Sequence, residues 1–278
     1  MRTHTSTLYN DFRSMARKLA NSVSIPNITE MFLPPLFRDR QPHDSEFMAL
    51  RLGDDSIGIS YVLLPEESRH SYEKLRPDSF NSSSPAALAD LFGSPDPLEH
   101  MLAMAALNAM CSHAMRSKLV SLDTATDSLG LLNITAADHV GMVGFFRPLI
   151  KRIEACGARL TVIELDDAYR RLYPHIHITL DTAELKHCNK VLCTSTTVYN
   201  NTIDSVLKHC PPEAFISIVG PTAGFFPDPL FARGVDVVGG TLIHDGKLFM
   251  RLLADKQRWT SARRKVCFQK KTYAGLVL

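Results

Sequence analysis

The apolar residues in the first half of the chain follow two different periods. Leu8, Phe12, Met15 and Leu19 recur at helical spacing, which predicts an amphipathic first helix. The segment FMALRLGDDSIGISYVLL instead predicts two strands around the Gly-Asp-Asp turn at residues 53–55. The chain is therefore expected to begin with a helix and to continue with a β-hairpin.

A second long helix is predicted after Pro97, where LEHMLAMAALNAMCSHAMRSKLV is apolar on most faces. A helix of this kind is expected to be buried between layers. Residues 77–97 are rich in Ser, Pro and Asp, which predicts a loop with one short helix, and prolines at positions 26, 34 and 35 interrupt regular structure. We expect an α+β domain over residues 1–125, with the connection to the next domain between residues 118 and 137.

Strands and helices alternate in the second half of the chain. HVGMVGF, LTVIEL, KVLCTS, FISIVG and VDVVGGT are predicted strands, and FRPLIKRIEACG, NTIDSVLKHC and PDPLFARG are predicted helices, the first ended by Gly157. A short helix is also expected over residues 183–188, whereas the last thirty residues show no clear pattern. Alternation of this kind implies right-handed crossovers and a mostly parallel sheet. The fold class is therefore α/β, with a Rossmann-like domain over residues 126–278.

Length and charge limit the class of protein. At 278 residues the chain is long for one core, which favours two domains. A net charge of +2 gives no reason to expect nucleic acid or an anionic membrane as a partner. The basic residues Arg263, Arg264, Lys265, Lys270 and Lys271 are interpreted as a solvated tail or strand edge.

Neither a membrane helix nor a signal peptide is predicted. No apolar run reaches the roughly 18 residues that a membrane span needs, and MRTHTSTLYNDF lacks an apolar core. A cytoplasmic protein with a small-molecule ligand is expected, and homo-oligomerisation is left open. The six cysteines contain no CxxC pair, so buried reduced thiols are expected rather than a structural zinc site.

The first strand of the second domain is followed by a G-x-x-G turn at Gly141 and Gly144. Glycines there let backbone N–H groups approach an anion at a helix N-terminus. The full dinucleotide pattern G-x-G-x-x-G is not completed, so a tight turn without a ligand is an equally good interpretation. Glu164 ends the second strand, where nucleotide- and S-adenosylmethionine-binding domains place an acid on the ribose. The alternative is a solvated carboxylate, because Asp166 and Asp167 stand beside it.

Two polar loops follow the later strands, TSTTVYNNT and GPTAGFFPDP. Loops at the carboxyl ends of parallel strands form the ligand sites of open sheets. The alternative is helix capping, for which Asn and Thr are suited. The loop residues selected as candidate ligand contacts are Thr194, Ser195, Thr196, Tyr199, Asn200, Thr202, Gly220, Pro221, Thr222 and Phe226.

Aromatic residues near these loops offer a pocket wall or a ring face for a cation, with ordinary packing as the alternative. Phe145, Tyr199 and Phe226 are the candidates. Metal binding has one local signal, His175-x-His177, whose imidazoles could share one face of a strand. The spacing matches no known zinc module. Cys193 at a strand end is a conceivable nucleophile, with a buried thiol as the alternative.

The motifs from Asp138 to Gly246 resemble a family labelled "putative heavy-metal chelation" proteins. The matching residues are Gly141, Gly144, Glu164, Thr196, Asn200, Thr202, Gly220, Pro221, Thr222, Gly234, Val235, Asp236, Gly240 and Thr241. The resemblance implies a Rossmann-like C-terminal domain preceded by a smaller α+β domain similar to the enolase N-terminal domain. It also implies an interdomain site that handles a metal or a metal chelate.

Two functions remain open from the sequence. In the first, the protein binds a transition metal or a small metal chelate between its domains. In the second, it is an enzyme that uses S-adenosylmethionine or another nucleoside cofactor to make a small amino-acid-derived metabolite, as a transferase or cyclase. A protein that senses a ligand without turnover is a third possibility.

Overall fold

The computed structural model describes residues 7–36, 46–117 and 121–276. Within these ranges the chain forms a three-stranded antiparallel sheet and a seven-stranded, mostly parallel sheet. The small sheet lies in the first half of the chain and the large one in the second half. The predicted fold class, α/β with a Rossmann-like mostly parallel sheet, is confirmed.

Over its described residues, the first half of the chain contains the small sheet and four α-helices. Its strands are β1 (Ile28–Phe32), β2 (Phe47–Leu52) and β3 (Ile57–Tyr61), and its helices are α1 (Leu8–Ser22), α2 (Arg69–Lys74), α3 (Pro85–Ala89) and α4 (Pro97–Arg116). Helix α4 begins at Asp96, whose side chain accepts a hydrogen bond from the backbone N–H of Leu98. It approaches β3 closely because Gly58 has no side chain: a Cβ there would lie 1.9 Å from the Ala105 carbonyl oxygen.

The predicted helix at the N-terminus, the hairpin and the buried helix after Pro97 are confirmed. Most residues of α4 are buried, as the apolar pattern of its sequence predicted. Strand β1 was not predicted. It lies between Pro26 and Pro34 and pairs with β2 across a register shift near Ile28 and Glu30.

The large sheet has the strand order β6-β5-β4-β7-β8-β9-β10, and only β10 runs antiparallel to its neighbour. Its strands are β4 (His139–Val143), β5 (Arg159–Ile163), β6 (His177–Thr179), β7 (Lys190–Thr194), β8 (Phe215–Val219), β9 (Val237–Ile243) and β10 (Arg263–Gln269). The helices of this half are α5 (Arg147–Ala155), α6 (Ala168–Leu172), α7 (Thr196–Tyr199), α8 (Ile203–His209), α9 (Asp228–Phe231) and α10 (Gly246–Ala254).

Two apolar cores cover the two faces of this sheet. One contains side chains of α5 together with Val140, Met142 and Leu192. The other joins the opposite face of the sheet to α1, α4 and the small sheet in one continuous cluster. The ends of β7 and β8 therefore lie beside the N-terminal half of the chain.

Several predictions for the second half are confirmed, and one strand, β10, was missed. Helix α5 ends at a Gly157 turn whose φ of +73° suits glycine. The strand expected beside the His175-x-His177 pair is the three-residue β6. Strand β10 begins with three basic residues, so it carries no clear apolar pattern. The domain boundary at residues 125–126 stays a prediction, as does the likeness to the enolase N-terminal domain.

Residues 1–6, used for the prediction about a leader, and residues 118–120 of the predicted connection lie outside the described ranges. No helix in the described ranges is both long and apolar enough to cross a membrane. All six cysteines are free thiols, and five of them are buried, as the sequence predicted.

Candidate functional site

Four residues form a row at the carboxyl edge of the large sheet. Gly144, Glu164, Ser195 and Gly220 each stand one position beyond the end of β4, β5, β7 or β8. Each donates its backbone N–H to a carbonyl of the adjacent strand, at distances between 2.8 and 3.1 Å. We call these four residues the edge row. The polar segments that follow these strands therefore begin along one edge of the sheet.

The edge row crosses the switch point of the sheet. The order β6-β5-β4-β7-β8-β9 is the 3-2-1-4-5-6 order of the Rossmann fold, in which the direction of strand addition reverses between β4 and β7. Gly144 lies at this point with a φ of +88°, and a Cβ on it would be 3.1 Å from the Thr194 methyl group. Open α/β sheets bind ligands at such a reversal.

Glu164 presents a carboxylate at the edge row. The residue is half-buried, and its Oε1 accepts a hydrogen bond from the backbone N–H of Asp166 at 3.0 Å. That bond holds the carboxylate beside the end of β5. A carboxylate in this position is suited to accept hydrogen bonds from ribose hydroxyls.

The polar turn at residues 196–202 bonds mainly to itself. Asn200 Oδ1 accepts hydrogen bonds from the Thr202 hydroxyl at 2.7 Å and from the Thr202 N–H at 3.3 Å. The Thr194 hydroxyl donates to that of Thr196 at 3.2 Å, and the Thr197 hydroxyl donates to the Thr194 carbonyl at 2.7 Å. Several polar side chains of this turn are therefore paired locally, but the N-cap residues Ser195 and Thr202 make no side-chain capping hydrogen bond to α7 or α8.

Two of the three aromatic candidates lie in the interior rather than at the edge row. Phe226 has no exposed surface and packs edge-on against Phe268. Tyr199 is 4 % exposed, and burial raises the pKa of its hydroxyl. Only Phe145 stays beside Gly144, where its ring stacks on Tyr169 at 4.3 Å.

A buried histidine supports Tyr199 from α4. Gly93 donates its N–H to His100 Nδ1 at 2.7 Å, so the neutral ring carries its proton on Nε2, which donates to the Tyr199 carbonyl at 2.8 Å. Burial lowers the pKa of His100. This histidine therefore links the first half of the chain to the end of α7 as a neutral group.

The loop after β8 is also held by α4. Thr222 is 1 % exposed, and its carbonyl accepts a hydrogen bond from Asn108 Nδ2 at 2.9 Å, while the same nitrogen donates to the Ile59 carbonyl at 2.8 Å. Asn108 thus connects the small sheet to the large one. Of the four candidate residues in this loop, Gly220 and Pro221 lie nearest to solvent, whereas Thr222 and Phe226 are buried.

Residues 127–270 match a family model described as "Putative heavy-metal chelation", DUF364. The match covers more than half of the chain. The protein belongs to this family. The resemblance stated from the sequence motifs is confirmed, whereas no curated protein matches the chain significantly.

Solved structures with the same architecture come from this family. A DUF364 protein of unknown function from Pyrococcus horikoshii is similar with a TM-score of 0.70 and 16% identity, over 95% of this chain and 100% of that one. Another, from Desulfitobacterium hafniense DCB-2, gives a TM-score of 0.66 and 18% identity, over 94% and 98%. At these identities the likeness shows a shared fold.

The family description raises the question of a metal ion, and the described side chains do not fit one. No group of three or more His, Cys, Asp or Glu that could hold a metal lies in residues 7–36, 46–117 and 121–276. The two candidate histidines face different carboxylates: His175 Nε2 lies 3.5 Å from Glu154, and His177 Nε2 lies 3.9 Å from Glu184. The geometry gives no support to a metal held by this pair.

Cys193 is not placed to act as a nucleophile. Its thiol is fully buried and contacts the Thr197 hydroxyl at 3.1 Å. Burial raises the pKa of this thiol to about 12, so the reactive thiolate is disfavoured. The buried-thiol alternative describes this residue.

The interpretation of Arg263 and Lys265 as a solvated tail or strand edge is incomplete. Both residues lie on β10 and, with Arg258, line a cavity of about 400 Å³ that reaches Gly220 of the edge row. The signal in the sequence was RRKVCFQ itself, a strand whose apolar residues begin only at its fourth position. A strand that extends past the apolar core carries polar residues there.

Proposed function

We propose that the protein binds a nucleoside-containing small molecule, with S-adenosylmethionine as the leading candidate, at the carboxyl edge of the large sheet. The observation that carries the proposal is the Rossmann strand order with Gly144 and Glu164 beyond its first two strands. In sheets of this order the first glycine turn lies against the ligand and the acid after the second strand receives the ribose.

Each residue of the edge row has a separate part in this proposal. Gly144 lets the chain turn tightly at the switch point, because its φ of +88° suits glycine and a side chain there would press on Thr194. Glu164 accepts hydrogen bonds from the ribose hydroxyls. Phe145, stacked on Tyr169, offers an apolar surface beside the same turn.

S-adenosylmethionine would supply a carbon made reactive by the adjacent sulfonium. Gly144, Phe145 and Glu164 would hold this cofactor, and it would supply that carbon to an electron-rich atom of the second substrate, with the sulfur leaving as a neutral thioether. Such a transfer would need no redox partner. It is compatible with a site whose described side chains form no metal-binding group.

Thermal unfolding in the presence of S-adenosylhomocysteine tests the proposal on the intact protein. A ligand at a hundredfold excess over its Kd stabilises by about 2.7 kcal/mol, which we expect to appear as a clear rise in Tm. S-adenosylmethionine and adenosine should act in the same direction. No shift with any of the three compounds would remove the proposal.

Calorimetric titration of variants tests the assignment of Glu164. Glu164→Gln should weaken S-adenosylhomocysteine binding by roughly tenfold to a hundredfold, because hydrogen bonds to a charged group contribute about 1.5–3 kcal/mol. Asp167→Asn is the matched control, since Asp167 is an exposed acid three positions along. Equal affinities for both variants would show that the ribose lies elsewhere.

A metal chelate is the second candidate, favoured by the family description. In this alternative the metal arrives with its own organic ligands, so the protein need not supply a coordinating group. Elemental analysis of protein purified without a histidine tag tests it. Stoichiometric transition metal together with an unchanged Tm in S-adenosylhomocysteine would favour this candidate over the first.

A further inference from the structure

A cavity of about 400 Å³ opens on the large sheet beside the edge row. Its floor is backbone from the end of β8 and the middle of β9, including Val219, Gly220, Gly239 and Gly240. Phe146 lines one side of it and also lies 3.7 Å from the position a Cβ would take on Gly144. Gly220 also belongs to the edge row, so the cavity borders the candidate site at the end of β8.

Three cationic side chains line this cavity and no carboxylate does: Arg258, Arg263 and Lys265. Arg263 and Lys265 alternate on β10, opposite Ile243 and Thr241 of β9, so both lie on one face of the sheet. None of the three forms an ion pair with a described residue. Their charges are not balanced by any described carboxylate.

The rest of the wall combines hydroxyls with flat apolar surface. Ser128, Thr241 and Thr260 offer hydroxyl groups, and Trp259 offers an indole ring. The Arg263 guanidinium lies 5.4 Å above the centre of that ring, which holds the charge in place.

Glycine at position 239 is required for this arrangement. A Cβ on Gly239 would lie 2.3 Å from the Ser128 hydroxyl oxygen, so any side chain there would displace Ser128 from the cavity wall. The absence of a side chain at Gly239 therefore lets the Ser128 hydroxyl lie against the strand backbone in the cavity wall.

We infer that this cavity binds a small polyanion, carrying carboxylate or phosphate groups, as the second substrate of the edge-row site. Like charges repel, so the three cations disfavour a sulfonium in the cavity and favour an anion. Arginine and lysine donate charge-assisted hydrogen bonds to both oxyanion types. The role of this anion as a second substrate rests on the proposed function. The anion site itself is inferred from the cavity alone.

Calorimetric titration with citrate and with inorganic phosphate tests the inference. Wild-type protein should bind at least one of them at low salt, with affinity falling as sodium chloride is added, because salt screens such contacts. Tighter binding of citrate would indicate that the ligand of this cavity carries carboxylates. Tighter binding of phosphate would indicate that it carries phosphoryl groups. Failure of the wild type to bind either one would overturn the inference.

Substitutions on β10 locate the anion. Lys265→Gln and Arg263→Gln should each weaken binding roughly tenfold, the loss of one charge-assisted contact. Arg264→Gln is the matched control, because Arg264 is exposed on the opposite face of the same strand and does not line the cavity. Lys265 is exposed, so its variant should fold even if loss of the Arg263–Trp259 contact destabilises the other. Equal weakening by Arg264→Gln and Lys265→Gln would overturn the site.

A nucleoside without an anionic group separates this inference from the proposed function. 5′-Methylthioadenosine should bind the wild type and Lys265→Gln equally. If it fails to bind while citrate or phosphate binds, the anion site stands and the nucleoside proposal fails. If it binds while neither anion does, the nucleoside proposal stands and the anion site fails.

Discussion

The end of β5 and the turn after β7 looked alike in sequence, each a polar segment following an apolar strand, but they differ in the structure. Glu164 is half-buried at the edge row, and its Oε1 accepts a hydrogen bond from the backbone N–H of Asp166 in its own loop. The 196–202 turn connects its hydroxyl and amide groups to one another. Polar groups are available to a ligand only if the chain has not already paired them.

The largest expected effect comes from filling the edge row. Gly220→Ala would place a Cβ 2.2 Å from the hydroxyl oxygen of the buried Ser195. We expect the free energy of unfolding, measured with urea, to fall by about 1–3 kcal/mol, the usual cost of overpacking.

Two control variants show whether the lost stability comes from the contact with Ser195. Gly53→Ala meets no atom closer than 3.5 Å, so it should change stability little. Ser195→Ala combined with Gly220→Ala removes the hydroxyl and should recover part of the loss. No difference between the two single glycine variants would show that the edge row is not tightly packed.

The next largest effect is a pH dependence of stability caused by His100, which hydrogen-bonds to Tyr199. Because burial lowers the pKa of His100 in the folded state, the unfolded state binds its proton first as the pH falls. Stability from the neutral ring is present above about pH 6.5 and is lost as the pH falls towards the lowered folded pKa, at up to about 1.4 kcal/mol per pH unit.

Urea unfolding from pH 8 to pH 5 measures this effect. The stability of wild-type protein should fall more steeply with acidification than that of His100→Gln, in which the side chain does not titrate. Parallel curves for the two proteins would mean that His100 is not held neutral.

The smallest effect concerns the self-bonded turn. Asn200→Ala removes the acceptor of two hydrogen bonds from Thr202 and should lower stability by about 0.5–1.5 kcal/mol. Affinity for S-adenosylhomocysteine should change less than twofold. A tenfold loss of affinity would mean that Asn200 contacts the ligand, so that it would not differ from Glu164 in this respect.

Elements with strong local patterns were predictable from the sequence. The period of α1, the hairpin of β2 and β3, and the alternation from β4 to β9 all follow from apolar spacing. Strand β1 was missed because the prolines on either side of it, Pro26 and Pro34, predict an interruption of regular structure. Strand β10 was missed because its first residues leave the core to line a cavity.

The candidate site was predictable in place but not in detail. Edge positions such as Gly144 and Glu164 follow from the order of strands and turns along the chain. The burial of Tyr199 and Phe226 depends on contacts with the first half of the chain, through His100 and the core around α4. Contacts between residues about a hundred positions apart leave no local signal, so these two rings could not be distinguished from Phe145.

The most direct test of the central claim is a crystal structure of the protein with S-adenosylhomocysteine. We expect ribose hydroxyls within hydrogen-bonding distance of the Glu164 carboxylate and the nucleoside across the switch point at Gly144. A nucleoside bound to the 196–202 turn, or anywhere away from the edge row, would contradict it.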